Sequence, residues 1–319
     1  MAFNRLAPED FVISSDSITA TLWSEGAVAL TIFNTSSTQE AGSSGDFYLN
    51  VFQTASNDDS AEVQFAIAYG NRYTSGSAFY NNGVTTASPT RTTYGQYRNL
   101  ILGDENAQFV FGTATSSDFW VINIDRTRYK ESLLPGSLTL ILSGSQVGSG
   151  GGKLSLTDDS QISSTVIFND AGLVYQIVSG AAGTVFTGIN SNGYSTNSGS
   201  YGWFMPDIGT ILLNPLAISS SLQVGPSRSV NSDGLNYQKL FTAISGGASF
   251  KINSQETISS DYIFIRARNA EFNYSENPSF ISGSTGEIVF NQFINNPQTF
   301  LTTIGLYNDN MAVSYTHLR

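Results

Sequence analysis

Arg266 and Arg268 stand two residues apart in an apolar, β-type run, DYIFIRAR (residues 261–268), and Glu271 follows three residues later. Two guanidinium groups on one face of a strand can hold carboxylates through charge-assisted hydrogen bonds, or line a pocket for an anion. Strand alternation puts Arg266 and Arg268 on one face with Tyr262 and Phe264, and Ile263, Ile265 and Ala267 on the other. With a net charge of −11, acidic partners are plentiful within the protein itself. The expectation is a salt-bridge face, within or between subunits, that takes no part in chemistry. FWVINIDRTRYKE (119–131) echoes this stretch, an apolar strand running into Arg126 and Arg128 and then Glu131. Two instances do not make a repeat, and no fixed-period repeat is present.

Other residues with chemical potential are less convincing. VGSGGGKL (147–154) invites a phosphate-loop reading, but Val147 and Leu154 stand where that pattern needs Gly and Ser or Thr, and no helical pattern follows. A hairpin loop is the better account. His317, the sole histidine, lies two residues from the end and offers no triad or zinc site. The carboxylate pairs Asp58-Asp59, Asp104-Glu105 and Asp158-Asp159 are sequence neighbours beside turn-forming residues; neighbours on a strand point to opposite faces, which suits caps and turns better than acid–base work. No pair has calcium-loop spacing. Trp203 follows a long polar loop, INSNGYSTNSGSYG (189–202), and with Tyr194 and Tyr201 could stack a sugar ring. The more ordinary role is an aromatic anchor that fixes the loop to the core. No cofactor and no metal are expected.

The elements that must position these residues are mostly strands. GDFYLNVFQT (45–54), AEVQFAIAYG (61–70), DFWVINID (118–125), SLTLILSG (137–144), STVIFND (164–170), LVYQIVSG (173–180) and DYIFIRAR alternate between turn-forming residues. Asn169-Asp170-Ala171-Gly172 reads as a hairpin loop. SPTRTTYGQYRNLILGD predicts a helix with Ser88 as cap, Pro89 in the first position, a Tyr94–Tyr97–Ile101 stripe and a stop at Gly103. SDGLNYQKLFTAISGG predicts a second, capped by Ser232 or Asp233, with Leu240, Phe241 and Ile244 inward and Gly246-Gly247 as terminator. The fold class is therefore mainly β: an antiparallel β-sandwich or barrel-like sheets with two or three short helices. The Gly-rich GSQVGSGGGK (144–153) suggests two β-rich domains, 1–150 and 151–319, although KLSLTDD could return as the other arm of a hairpin and leave one intertwined domain.

Composition narrows the function. The chain has 319 residues, 40% hydrophobic, with 21 Phe, 15 Tyr and 3 Trp, enough to bury a sizeable core. Only 12% of residues are charged, about half the usual share, and Ser, Thr, Asn and Gly carry the polarity. Four Lys against a net charge of −11 argue against nucleic acid and against an anionic membrane surface. There is no cysteine, hence no disulfide and no thiolate chemistry. No signal-peptide pattern opens the chain and no apolar stretch is long enough to span a bilayer; IGTILLNPLAI (208–218) is broken by Asn214-Pro215.

The opening MAFNRLAPEDFVIS, EVQFAIAYGNRYTSGSAFYNN, YGQYRNLILGDE, RTRYKESLLPGSLTLIL, DYIFIRARNAEFNYSENPSF and NPQTFLTTIGLYNDN together resemble a family of virion structural proteins of T4-like tailed phages of marine bacteria, especially cyanophages. The resemblance runs from residue 1 to about 310. It implies a non-enzymatic component of a myovirus particle (tail, baseplate or neck), assembling with other virion proteins and with copies of itself, located in the virion and, during assembly, in the host cytoplasm. The alternative is a phage receptor-binding protein that binds or cleaves glycans. The family pattern supplies no catalytic motif. At the end, MAVSYTHLR stands where an apolar strand would continue, and it resembles translated sequencing-adapter sequence. On that reading the natural C-terminus is missing and His317 is foreign.

Overall fold

Asp118–Ile124 reads Asp-Phe-Trp-Val-Ile-Asn-Ile, apolar on both faces, and such a strand needs cover on both sides. The computed structural model describes residues 7–21, 28–29, 34–35, 48–55, 57–74, 90–144, 152–163, 167–186, 199–228, 235–268, 273–298, 305–307 and 313–316. Among these residues the chain is mainly β, with antiparallel sheets and a few short helices. Asp118–Ile124 lies inside a thirteen-stranded sheet. Eleven strands follow one another across it: Val28–Ala29, Ser249–Ile252, Thr139–Ser143, Lys153–Asp158, Gly172–Ala181, Gly202–Met205, Thr210–Leu213, Asp118–Ile124, Val63–Asn71, Tyr48–Phe52 and Asn34–Thr35. Ile167–Asn169 and Thr184–Val185 add to Gly172–Ala181.

Each face of this sheet has its own apolar cluster. Trp120, Ile122 and Ile124 join Phe65, Ile67, Leu140, Leu156, Phe204 and Ile211 on one side. Two helices cover that side: α2 (Pro215–Leu222) with Ile218 and Leu222, and α3 (Asn236–Gly247) with Tyr237, Leu240 and Ile244. Phe119 and Val121 point the other way, under α1 (Thr90–Leu102) and the hairpin formed by Phe109–Phe111 and Ala114–Ser116. Tyr94, Phe109 and Phe119 stack there with centroids 4.9–5.5 Å apart, a geometry that adds to the area they bury.

The helices follow local rules with one exception. In α1, Tyr94 and Ile101 are buried and Tyr97 packs beside them; the chain turns at Gly103, whose φ is +60°. The Ser88 and Pro89 start signal and the Ser232 or Asp233 cap lie outside the described residues. α2 begins where Asn214-Pro215 breaks the apolar run: the Asn214 side chain accepts from the N–H of Leu216 and Pro215 takes the first position. α3 ends at Gly247, as the Gly246-Gly247 pair suggested, but the residue that takes the left-handed cap is Ala248, at φ 58°. A Cβ at Gly247 would collide with the carbonyl of Ile141, so this glycine also serves close helix–strand packing.

Thr139–Ser143 and Lys153–Asp158 are adjacent antiparallel strands, with Ser143 opposite Lys153. The Gly-rich stretch between them therefore joins neighbours in one sheet, and a division at residue 150 would cut a strand pair. The chain divides otherwise. One unit comprises Thr19–Thr257, and the other comprises Met1–Ile18 with Ile258–Arg319. In the second unit the two ends of the chain meet as strand partners, Phe11–Thr21 beside the later part of Ser254–Ile265. It also holds two small strand pairs, Ile281–Ser282 with Glu287–Ile288 and Gly305–Tyr307 with Val313–Thr316. A short helix, Asn291–Asn295, brings Phe293 against Phe280 at 5.2 Å.

Candidate functional site

The strand carrying the arginine pair ends at Ile265, so Arg266 and Arg268 extend from its end. Both guanidinium groups converge on Oδ1 of Asp10, from Nη2 of Arg266 at 3.0 Å and Nη2 of Arg268 at 3.1 Å. Arg268 also reaches Glu9 at 3.6 Å. The Asp10 side chain is fully buried while the two arginines keep 67% and 44% of theirs exposed, so the guanidinium groups act as a lid over one carboxylate. Tyr262 and Phe264 are exposed, as is Ile263, so neither face of this strand is a core face. Glu271 lies outside the described residues.

The echo at residues 126–128 is built differently. A single 3-10 turn carries both arginines. Arg126 donates to the Tyr129 carbonyl at 2.6 Å and lies over the Tyr129 ring, while Arg128 pairs with Glu62 at 3.0 Å and donates to the Val63 carbonyl. Here Arg128 fastens the turn after one strand to the start of another, while Arg126 closes its own turn.

Trp203 packs edge-on against Phe109 and Phe111, at 5.7 and 5.5 Å, on the α1 side of the sheet. Tyr201 is buried in the opposite cluster, its hydroxyl 3.0 Å from that of Ser221. The two therefore share no stacking face. Tyr194 lies outside the described residues.

Two buried acidic networks are not evident from sequence. Asp118 takes a 2.7 Å hydrogen bond from the Tyr69 hydroxyl on Oδ2, while Arg228 donates to Oδ2 at 2.9 Å and to Oδ1 at 3.2 Å. Burial first, and then the Asp118 charge, push the Tyr69 phenol far above its ordinary range, so it stays a donor. Asp158 and Asp159, read from sequence as turn formers, are both buried. Asp158 accepts from the N–H of Gly136 and Asp159 from that of Gln176, each at 2.8 Å. Burial, with the neighbouring Asp158 charge, raises the Asp159 carboxyl to about 6, although the Gln176 N–H works against the rise. Asp58 and Asp104 accept from the N–H two residues on, the turn role expected of them, and Asp158 does the same from Ser160 at 3.3 Å, although it is buried. Among the described residues, no group of three or more His, Cys, Asp or Glu is placed to hold a metal ion, and no helix is long and apolar enough to cross a membrane.

A groove of about 400 Å³ lies beside α1 on the outer part of the sheet. Thr92, Gln96 and Tyr97 of α1 form one wall, and Tyr48 and Asn123 rise from the strands. Its floor includes Ala66, Ala68 and Val121, brought together by register: Tyr48, Ala68 and Val121 stand in one cross-strand row, and Ala66 and Asn123 in the next. The sequence offered no signal for it beyond the small side chains of the middle strand.

No protein-family model, no curated protein and no solved structure matches the chain.

Proposed function

We propose that this chain is a non-enzymatic structural subunit of a tailed-phage virion, a tail, baseplate or neck component that works through protein–protein assembly. One observation carries the reading furthest. Among the described side chains of the unit formed by Met1–Ile18 and Ile258–Arg319, Asp10 alone is buried. Phe11, Val12, Ile13, Tyr262, Phe264, Phe290 and Ile294 are all exposed by 40% or more. Strand partners that expose apolar side chains on both faces are marginal in water alone, and so many exposed apolar side chains in one unit favour association. Low charge with abundant neutral polar groups suits a surface that lies against other protein. The partners are other virion proteins and copies of the chain itself.

The test uses the full chain and a double variant, Val12→Asn with Phe264→Asn, one exposed residue on each of the two strand partners. The parent chain is expected to self-associate by light scattering, or to be taken up into particles assembling around it. The variant should lose that behaviour while Trp120 and Trp203, both in the other unit, keep their native fluorescence. A parent chain that stays monomeric and is not taken up, or a variant that associates equally well, would overturn the reading.

A further inference from the structure

Beyond assembly, and independently of it, we infer that the groove beside α1 binds a neutral oligosaccharide. The middle strand makes the space. Along Val63–Asn71, Ala66, Ala68 and Gly70 face α1. At Gly70 the helix lies close, since a Cβ there would meet the Tyr94 backbone nitrogen at 3.0 Å and the Phe119 ring at 2.9 Å. At Ala68 and Ala66 a lane stays open between Gln96 and Tyr97 on one side and Tyr48 and Asn123 on the other.

The lining chemistry selects the ligand. Among the described residues no charged side chain lines the groove, so a phosphate, a carboxylate or an ammonium group would shed water without gaining a counter-charge from them. Tyr48 and Tyr97 each offer an apolar ring with a hydroxyl at its end. The amides of Gln96 and Asn123 and the hydroxyl of Thr92 both donate and accept, matching a ligand whose hydroxyls do the same. Asn123 already accepts on Oδ1 from the Thr210 hydroxyl at 2.9 Å, which fixes its amide in one orientation. A sugar ring joins an apolar C–H face to a rim of hydroxyls, and this groove offers partners for both. An extended peptide would need free main-chain groups, but the strands flooring the groove already pair with one another. Small-ligand pockets run from roughly 300 to 1,000 Å³, so this one has room for a short oligosaccharide rather than a long one.

The experiment is an NMR titration of the full chain with maltotriose, cellotriose and chitotriose, backed by an array of neutral glycans, with an uncharged hexapeptide as the competing arm. Saturable binding by a neutral glycan is expected, with a dissociation constant on the order of 0.1–1 mM and shifts centred on Ala68, Gln96 and Asn123. Tyr48 and Gln96 are exposed, so Tyr48→Ala and Gln96→Ala should fold normally; each should weaken binding on the order of tenfold. Tyr97→Phe keeps the ring against Phe119 and tests the hydroxyl alone. The inference is overturned if no neutral glycan binds the folded chain, if binding survives both alanine variants, or if the peptide occupies the groove more tightly than any glycan.

Discussion

Arg266 and Asp10, 256 positions apart, are joined twice: the guanidinium group lies 3.0 Å from Oδ1, and the Arg266 N–H donates to the Asp10 carbonyl at 2.8 Å. The backbone bond sets the strand partnership, and the ion pair closes its end. Arg268 shares the same oxygen, so either arginine alone still neutralises the carboxylate. Arg266→Ala or Arg268→Ala should each cost about 1 kcal/mol, near the range of exposed pairs. The double variant strands a buried carboxylate and should cost about 3 kcal/mol. Hydrogen exchange of the Phe11–Thr21 amides reads the difference. A double variant no worse than the sum of the singles would show that the two arginines do not share one task.

In the other unit, Asp118 holds Tyr69 and Arg228 together. Asp118→Ala leaves the buried Tyr69 hydroxyl without its acceptor and should destabilise by about 3 kcal/mol. Tyr69→Phe keeps the ring against Trp120 and should cost about 1 kcal/mol. Chemical denaturation followed by tryptophan fluorescence ranks the two. Equal losses would show that the Tyr69–Asp118 hydrogen bond alone governs this site and that the Arg228 contact adds nothing.

Much of the first unit is legible from periodicity. Phe65, Ile67 and Tyr69 alternate as a strand with one core face should, and Tyr94, Tyr97 and Ile101 mark the inner stripe of α1. α2 has eight residues, too few for a periodic signal, although Asn214-Pro215 is a cap followed by a first-turn proline. Gly247 looks like punctuation in sequence; only the approach of Ile141 shows that it is also a packing residue. The partner of the arginine pair comes from the far end of the chain, and the groove residues Tyr48, Gln96 and Asn123 from three separate segments. Juxtapositions of that kind leave no trace in local spacing.

Gly247→Ala and Gly95→Ala make a matched pair on two helices. A methyl at Gly247 runs into the Ile141 carbonyl, while one at Gly95 meets nothing within 4 Å. Gly247→Ala should destabilise by about 3 kcal/mol as α3 is forced off its strand. Gly95→Ala should stabilise by roughly 0.5–1 kcal/mol, the helix-propensity gain. Thermal melts of both variants decide it, and a neutral Gly247→Ala would mean that α3 yields more easily than its burial implies.

Stability should carry a pH signature from Asp159. Burial lifts its carboxyl from 3.8 to about 6. Between those values the folded chain keeps a proton that the unfolded chain has released. Stability from this group is therefore fully present below about pH 4 and is lost as pH rises through about 6, by about 3 kcal/mol at most. Asp159→Asn keeps an acceptor for the Gln176 N–H and cannot titrate, so the difference between parent and variant should grow with pH across that window. A constant difference from pH 4 to 7 would show that Asp159 titrates normally.

Quantitative mass spectrometry of purified particles, from a phage whose genome encodes this chain, tests the assembly reading most directly. Peptides from both units, for example those spanning Val63–Asn71 and Ser254–Ile265, are expected in washed particles at one fixed ratio to the other structural proteins in every preparation. Their absence from particles, or an amount that falls with each wash, would contradict the assignment of this chain as a virion subunit.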